Sequence, residues 1–349
     1  MTNDYLSQFD FTGINNAIEA AEGSGASFTE LITSVFAGEF SLSPLEIIRW
    51  ALQAVLSEIY QSGFLMIQLI IIALLSAVIS ALTDSFKTKS VGEIGFYVCY
   101  AALVSVLLAS MRLSIDLMSN TVDNMAFLMQ SALPLMTGLM VLSGDVACAI
   151  AMEPLVLASV NMITVILQTL IIPLAISAAV IQTVNFLTEK EILGKLSELI
   201  RKGCALSFAL FALIFSAVLS LVRISAPILN NLAIRSARSA GGAVPVVGGF
   251  LTSAVDTVLF WAAAVRSAAL VSIIVAIIII CAVPIIKILA MVIIYKLTAA
   301  IIEPICDKRI VKCIDTIGTY TLLFACAITV VTVMFIFTVI MMLSFGGVV

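Results

Sequence analysis

The fold is decided by the stretch Ala268-Ala-Leu-Val-Ser-Ile-Ile-Val-Ala-Ile-Ile-Ile-Ile-Cys-Ala-Val-Pro284-Ile-Ile-Lys287-Ile-Leu-Ala-Met-Val-Ile-Ile294, which is 27 residues long and carries one charge. About 20 apolar residues are enough for a helix to cross the hydrocarbon core of a bilayer. Three further stretches are similarly long and apolar: Phe64–Leu82, Cys204–Val222 and Tyr320–Phe345. The sequence therefore predicts an all-α, polytopic integral membrane protein.

The composition agrees with a membrane protein and excludes several kinds of chemistry. Hydrophobic residues make up 62% of the chain and charged residues 11%, where a soluble chain is about 25% charged. Because the chain has no histidine, it has no histidine-based acid/base chemistry and no histidine metal ligands. Its seven cysteines include no C-x-x-C pair, and it lacks a nucleotide-binding loop and a long basic run. We therefore expect no catalytic residues, no metal, no cofactor and no nucleic-acid partner, with the lipid bilayer as surroundings.

Working outward from the clear spans gives about seven crossings, with six to eight allowed. Ile94–Met111 and a segment around Pro134 add two spans, separated by the polar stretch Arg112–Asn124. Val146–Leu187 holds 42 residues and a single ionisable group. It forms either one span with a re-entrant piece or two spans joined by a turn near Asn161.

Residues 1–60 differ from the membrane domain predicted for residues 61–349. They contain eight acidic residues and one basic residue, Arg49. Two capping boxes, Ser27–Glu30 and Ser43–Glu46, predict the starts of amphipathic helices, and the second has proline at the first helical position. We expect this acidic helical region to lie at the membrane surface.

The basic residues between the spans test the orientation of the chain. With one crossing by residues 146–187 and an external N-terminus, six Lys and Arg residues face the cytoplasm and ten face the other side. This distribution violates the positive-inside rule. Two crossings by that segment, or an internal N-terminus, would reverse the balance, so the sequence leaves the orientation open.

The segment Ala240–Gly249 is apolar, yet its glycines and proline cannot propagate a helix. We predict a re-entrant or interfacial loop here, the alternative being a flexible surface linker. Only about twelve apolar residues follow between Asp256 and Arg266, too few to cross a bilayer, so we expect a short helix. The residues of the predicted loop are Gly241, Gly242, Pro245, Gly248 and Gly249.

Three ionisable residues lie in or beside apolar segments: Glu153, Asp256 and Lys287. A charge at the centre of a span costs about 2.5–3.5 kcal/mol on insertion scales, so each needs a partner or water. We predict that Lys287 pairs with Asp256, provided that the short helix folds back against the span. The alternative is that Lys287 reaches toward the membrane interface.

Two stretches resemble a known family. The first is Val244-Pro-Val-Val-Gly-Gly-Phe-Leu-Thr-Ser-Ala-Val-Asp256-Thr-Val-Leu259, and the second runs from Cys281 to Ala300, with Glu303-Pro304 beyond it. Together with the acidic N-terminus and the series of spans, they resemble the stage III sporulation protein AE family. Members carry an N-terminal signal peptide, which the opening residues Met1-Thr-Asn-Asp do not resemble.

The resemblance implies a role in endospore formation. Members of the family belong to a secretion-like channel complex that connects the mother cell with the engulfed forespore, in the mother-cell membrane around it. Implied partners are the ATPase AA, the ring-forming proteins AG and AH, and the forespore protein Q. We therefore expect a multi-pass, non-enzymatic component required for forespore development after engulfment. The alternative is a stand-alone secondary transporter of small solutes, in which Glu153, Asp256 and Lys287 would carry the function.

Overall fold

The computed structural model describes residues 44–86, 89–142, 146–187, 193–241 and 248–344, and these ranges contain helices and no strand. The all-α prediction is confirmed. The second capping box is followed by a helix that starts at Pro44, as predicted. The first capping box lies outside the described residues, and the division into residues 1–60 and 61–349 stays a prediction. The helices are α1 (Pro44–Gln61), α2 (Gly63–Phe86), α3 (Lys89–Leu142), α4 (Val146–Ile166), α5 (Ile172–Asn185), α6 (Gly194–Gly241), α7 (Gly248–Ile302) and α8 (Lys308–Ser344).

Within the described ranges, six helical segments are long and apolar enough to cross a membrane. This number of segments lies within the predicted range of six to eight spans and is one fewer than the seven expected. The segments are Gly63–Leu82, Gly92–Val141, Ala149–Asn185, Gly194–Leu221, Ser267–Ile302 and Lys308–Met342. The chain is thus an all-α polytopic membrane protein.

Helix α3 accounts for the difference of one span. The two spans predicted on either side of Arg112–Asn124 form a single helix of 54 residues, about 81 Å long. The polar stretch contains no glycine or proline that would stop a helix, and it buries Ser114, Met118 and Val122 along one face. Tertiary packing on that face keeps the helix continuous.

The segment Val146–Leu187 also follows one continuous helical path, with Asn161 inside α4 rather than at a turn. Five residues between α4 and α5, Leu167–Ile171, form a π-helical turn. Pro173 lies in the first turn of α5 and has no N–H to donate to a carbonyl of the preceding turn. The π turn is the local adjustment expected beside such a proline.

Helices α7 and α8 form an antiparallel hairpin that packs along α3 and also contacts α1, α2, α5 and α6. Cys281 of α7 contacts Met125 of α3, and fourteen residues later Tyr295 contacts Ser110. Helices α3 and α7 therefore run in opposite directions at matched levels. Helix α2 packs on the N-terminal half of α3, and α6 packs on α4, α5 and α8. Gly95 allows the close contact between α2 and α3, because a Cβ there would lie 2.6 Å from a methyl of Ile79.

Hydrogen bonds between helices stabilise the end of the bundle at which α5 ends and α6 begins. The Tyr100 hydroxyl of α3 donates to the Thr183 carbonyl of α5 over 2.7 Å. Ser197 of α6 donates to the Ala178 carbonyl over 2.8 Å and contacts the hydroxyl of Tyr320 in α8. Since the Ser197 proton is used on that carbonyl, Tyr320 is the donor in the second contact. Four helices are thus joined by buried polar groups.

The turn between α7 and α8 is closed by Asp307. Its carboxylate accepts the backbone N–H of Arg309 over 2.8 Å, which caps the N-terminus of α8, and also pairs with the Arg309 side chain at 3.1 Å. The Arg309 guanidinium lies 4.0 Å from the ring centre of Phe96 at the start of α3. Partial burial opposes ionisation of Asp307, but the hydrogen bonds and charge of Arg309 outweigh it and lower the pKa of this carboxyl.

Asp307→Ala is expected to lower the stability of the folded protein by about 1 kcal/mol, the usual cost of losing an N-cap. Because folding lowers the pKa of Asp307, the stabilisation is complete above its unfolded pKa of about 3.9 and is lost as the pH falls through the folded value. Thermal unfolding of purified protein in detergent at neutral pH measures the loss. Asp307→Asn keeps an N-cap acceptor and should lose less; equal losses would contradict the capping role.

Candidate functional site

Lys287 lines a cavity whose largely apolar wall also carries polar and charged side chains. The cavity has a volume of 520 Å³ and is lined by side chains from α1, α2, α3 and α7. Its two acidic lining residues, Glu58 of α1 and Asp116 of α3, come from helices distant in sequence from Lys287. The remaining lining residues are Gln61, Ser62, Phe64, Leu65, Leu113, Leu117, Asn120 and Met291. Acidic and amide side chains therefore line the same cavity as Lys287, whose own span is otherwise apolar.

Each side chain reaches the cavity for a local reason. Helix α1 ends at Gln61 and α2 begins at Gly63, with the Ser62 N–H donating to the Glu58 carbonyl over 2.8 Å, so the polar end of α1 directly adjoins the start of α2. The polar stretch of α3 passes at this level and supplies Asp116. Lys287 follows Pro284, which lies inside α7. Two carboxylates and an ammonium group that line one cavity can hold water and polar solutes where hydrocarbon would exclude them.

Asp256, the partner predicted for Lys287, does not reach it. Both residues belong to α7, and Lys287 lies 31 positions after Asp256 along the continuous helix, a distance of about 46 Å. The predicted pairing within the chain is therefore wrong. The expected short helix after the glycine segment is the first part of the 55-residue helix α7, which is why it cannot fold back.

Glu153 is exposed on α4 and lines a second cavity of 490 Å³ beside Pro134, Thr137 and Gly138 of α3. The structure does not bring it to Lys287. The three ionisable residues singled out from the sequence are thus distributed over three places, and their roles stay predictions.

A second charged site went unrecognised in the sequence. The Lys296 ammonium donates to the Asp315 carboxylate over 2.6 Å and to the Thr319 hydroxyl over 2.9 Å, linking α7 to α8. A cavity of 490 Å³ adjoins this pair and is also lined by Glu303 and Lys312. In the sequence, Lys296 and Asp315 each lie beside an apolar run, a position typical of charged residues in a connecting loop. In the structure they face each other across the α7–α8 hairpin.

The glycine segment is only partly within the described residues. Gly241 ends α6, and Gly248 and Gly249 begin α7. Gly242 and Pro245 lie outside the described residues. The re-entrant loop therefore stays a prediction, bounded by the ends of two long helices.

Comparison with known proteins identifies the family. The family profile described as Stage III sporulation protein AE matches residues 26–346, which include all six candidate spans and both charged sites. The chain belongs to this family. It is also similar to Stage III sporulation protein AE of Bacillus subtilis (strain 168), with 26% identity over 311 residues, 89% of this chain and 78% of the relative. No solved structure matches the chain.

The charged cavity of this stage III sporulation AE family member gives a test of Lys287. Lys287→Met removes the ammonium group that lines the cavity with Glu58 and Asp116, so the charge of Glu58, and that of Asp116 beyond its 4.0 Å contact with Arg112, is less well balanced. We expect Lys287→Met to lower the protein level in the membrane severalfold, and Asp116→Asn in the same chain to restore part of it. Quantitative immunoblots of membranes measure both effects.

Lys287→Arg keeps the charge and serves as the matched control, which should stay near the original level. Losses from Lys287→Met and Asp116→Asn that simply add in the double variant would contradict an interaction through the cavity. Loss of the Lys287→Arg protein would show that shape, rather than charge, governs the position.

Proposed function

We propose that this protein is a multi-pass membrane component of a channel complex that connects the mother cell with the forespore, and that it is required for forespore development after engulfment. Membership of the stage III sporulation AE family carries the proposal, because the match extends over the whole membrane bundle. The proposed partners are the ATPase AA, the ring-forming proteins AG and AH, and the forespore protein Q. The proposed location is the mother-cell membrane around the forespore.

A role as a structural component rather than an enzyme is part of the proposal. The buried polar groups that join the helices are used on backbone carbonyls and on one another. These observations favour a scaffold through which other components act.

The proposed orientation follows from the continuous α3. Since α3 crosses once, the segments that join α2 to α3, α5 to α6 and α7 to α8 all lie at one end of the bundle. Ten of the seventeen Lys and Arg residues lie in or beside those segments, against five at the opposite end. By the positive-inside rule we place this end in the mother-cell cytoplasm. The ten residues are Lys87, Lys89, Lys190, Lys195, Arg201, Lys202, Lys296, Lys308, Arg309 and Lys312.

The test is a deletion strain of the source bacterium, complemented with the original gene or an empty vector. We expect the deletion to lower heat-resistant spore counts by several orders of magnitude, with normal engulfment and normal vegetative growth. Complementation should restore the counts. Unchanged spore counts would refute the proposal.

A second candidate function, a stand-alone secondary transporter, is favoured by the charged cavity around Lys287. It predicts solute uptake by vesicles that contain only this protein, and a defect in growing cells. A deletion that spares growth, together with vesicles that take up no solute, would leave the channel component as the function.

A further inference from the structure

One face of α3 carries polar side chains over a length greater than the thickness of the hydrocarbon core. They recur at steps of three, four or seven residues, which keeps them within about 100° of one another around the helix. From the first to the last they extend over about 38 Å, whereas the hydrocarbon core measures about 30 Å. All but the last are exposed or half-buried. They are Arg112, Asp116, Asn120, Asp123, Gln130 and Thr137.

Helices α7 and α8 fix the depth of the hydrocarbon. Residues 268–294 of α7 contain one charge, Lys287, and residues 320–342 of the adjoining α8 contain none. Because about 20 residues cross the hydrocarbon, every placement within residues 268–294 includes residues 275–287. The ion pairs beside the α7–α8 turn then lie outside the hydrocarbon: Lys296 with Asp315, and Arg309 with Asp307.

The polar face of α3 passes through this depth. Met125 of α3 contacts Cys281 of α7, and the two helices are antiparallel. Residues 119–131 of α3 therefore lie opposite residues 275–287 of α7. The polar side chains in this section of α3 include Asn120, Asp123 and Gln130.

Helix α4 and the π-helical turn after it place a second polar row against this face. The Gln168 amide donates to the Asp123 carboxylate over 2.7 Å, and the Gln130 amide donates to the Asn161 side-chain oxygen over 3.2 Å. Thr164 lies between Asn161 and Gln168 in this row. In the described part of the chain, those two bonds are the only hydrogen bonds of the four acidic and amide side chains, so most of their donor and acceptor groups remain available. The six residues of α3 and these three residues together form the polar seam.

A cavity adjoins the polar seam at each end. Asp116 lines the cavity of Lys287 at one end, and Thr137 lines the cavity of Glu153 at the other. At the levels between the two cavities, Asp123 is the one charged residue of α3, α4, α7 and α8. The middle of the seam therefore carries a single negative charge. The charged residues at its ends are Glu58, Arg112, Asp116, Lys287 and Glu153, of which Arg112 and Asp116 pair at 4.0 Å.

We propose that the polar seam is the wall of a water-filled path across the membrane that admits small monovalent cations. Charged side chains in membrane spans face the bundle interior or a water-filled cavity, and Asp123 is exposed on the bundle surface. Water that enters from the two end cavities supplies the hydrogen bonds that the seam itself does not make. The carboxylate of Asp123 attracts cations and repels anions at the middle of the path. This path belongs to the membrane domain and does not depend on the proposed role in sporulation.

Cysteine labelling of the full-length chain in membranes tests for water in the seam. The probe is MTSET, a methanethiosulfonate with a fixed positive charge that reacts with thiols in water and stays out of hydrocarbon. The background chain has alanine in place of Cys148, Cys306 and Cys326, keeps the four buried cysteines and serves as the blank. Asn161→Cys places a thiol in the middle of the seam. Ile278→Cys is the matched control, because Ile278 is 48% exposed at the same depth on the apolar helix α7.

We expect MTSET to label Asn161→Cys about tenfold faster than Ile278→Cys, because hydrocarbon excludes the charged probe. Asn120→Cys should give the same result and covers the case in which loss of the Asn161 amide lowers the protein level. Labelling after denaturation shows that each thiol is present. Equal rates at the seam and at the control, or labelling of the seam positions after denaturation alone, would overturn the proposal. The second outcome would indicate that a membrane helix of another protein fills the seam.

A second measurement tests the preference for cations. The rate of MTSET relative to its anionic counterpart MTSES at Asn161→Cys, divided by the same ratio for a free thiol in solution, should be about ten. Asp123→Asn should lower this value severalfold, whereas Glu303→Gln, outside the hydrocarbon, should leave it unchanged. A value near one in the chain that retains Asp123 would overturn the cation preference, whether or not the Asp123→Asn protein accumulates.

Discussion

Replacing Gly318 by leucine is expected to remove nearly all folded protein from the membrane. A Cβ on Gly318 would lie 3.0 Å from the Cβ of Tyr295 and 3.6 Å from the Lys296 side chain, because α7 and α8 approach closely here. The remaining atoms of leucine would have to occupy the space of Tyr295, which is fully buried. Overpacking of this kind costs about 1–3 kcal/mol or more, and here it separates the two helices that form the centre of the bundle.

Gly203→Leu is the matched control for this substitution. Gly203 lies on an exposed face of α6, and a Cβ added there would have no atom within 4 Å, so leucine meets open space. Both substitutions replace a helical glycine, so both gain the same helix propensity. The amount of monodisperse protein after detergent extraction should fall for Gly318→Leu alone. Equal yields of the two variants would show that the close approach is dispensable.

Tyr100→Ala is expected to destabilise the end of the bundle beside the α7–α8 turn by about 3–5 kcal/mol, the range for truncating a buried aromatic residue. Tyr100 is 1% exposed, stacks on Phe96 and donates to the Thr183 carbonyl of α5. Truncation would leave a cavity where three helices meet and would also remove the donor of that hydrogen bond.

Tyr100→Phe separates these two contributions. It keeps the ring and loses the hydroxyl, which should cost about 1 kcal/mol. Thermal unfolding in detergent, followed by circular dichroism, ranks the two variants against the original protein. Similar melting temperatures for Tyr100→Ala and the original protein would contradict the packing described for this end.

The helical class and most spans could be predicted from the sequence, because a run of about twenty apolar residues is typical of a membrane-spanning helix. The continuity of α3 could not. A polar stretch between two apolar ones is typical of a loop, yet Arg112 and Asp116 are exposed on one side of the helix while Ser114 and Met118 are buried on the other. Distinguishing a loop from a continuous helix requires knowing which residues pack on the face of Ser114 and Met118.

The partners of the charged residues could not be predicted from the sequence either. Lys287 was recognisable as an unusual residue, since it is the single charge in a long apolar span. The groups around it come from α1 and α3, more than 150 residues earlier in the chain. Proximity in sequence favoured Asp256, and helix rigidity excludes it. Which residues are apolar was readable from the chain, whereas which of them meet depended on the arrangement of helices.

The unbroken length of α3 has a mechanical consequence. From Lys89 to Pro134 it is a continuous helix without an internal proline, and it contacts the α7–α8 turn near one end and α4 near the other. A rod about 68 Å long that pivots by about 5° at its centre moves each tip by about 3 Å. A protein that pushes on the tip beside the α7–α8 turn therefore moves the other tip in the opposite direction, because no flexible segment lies between them.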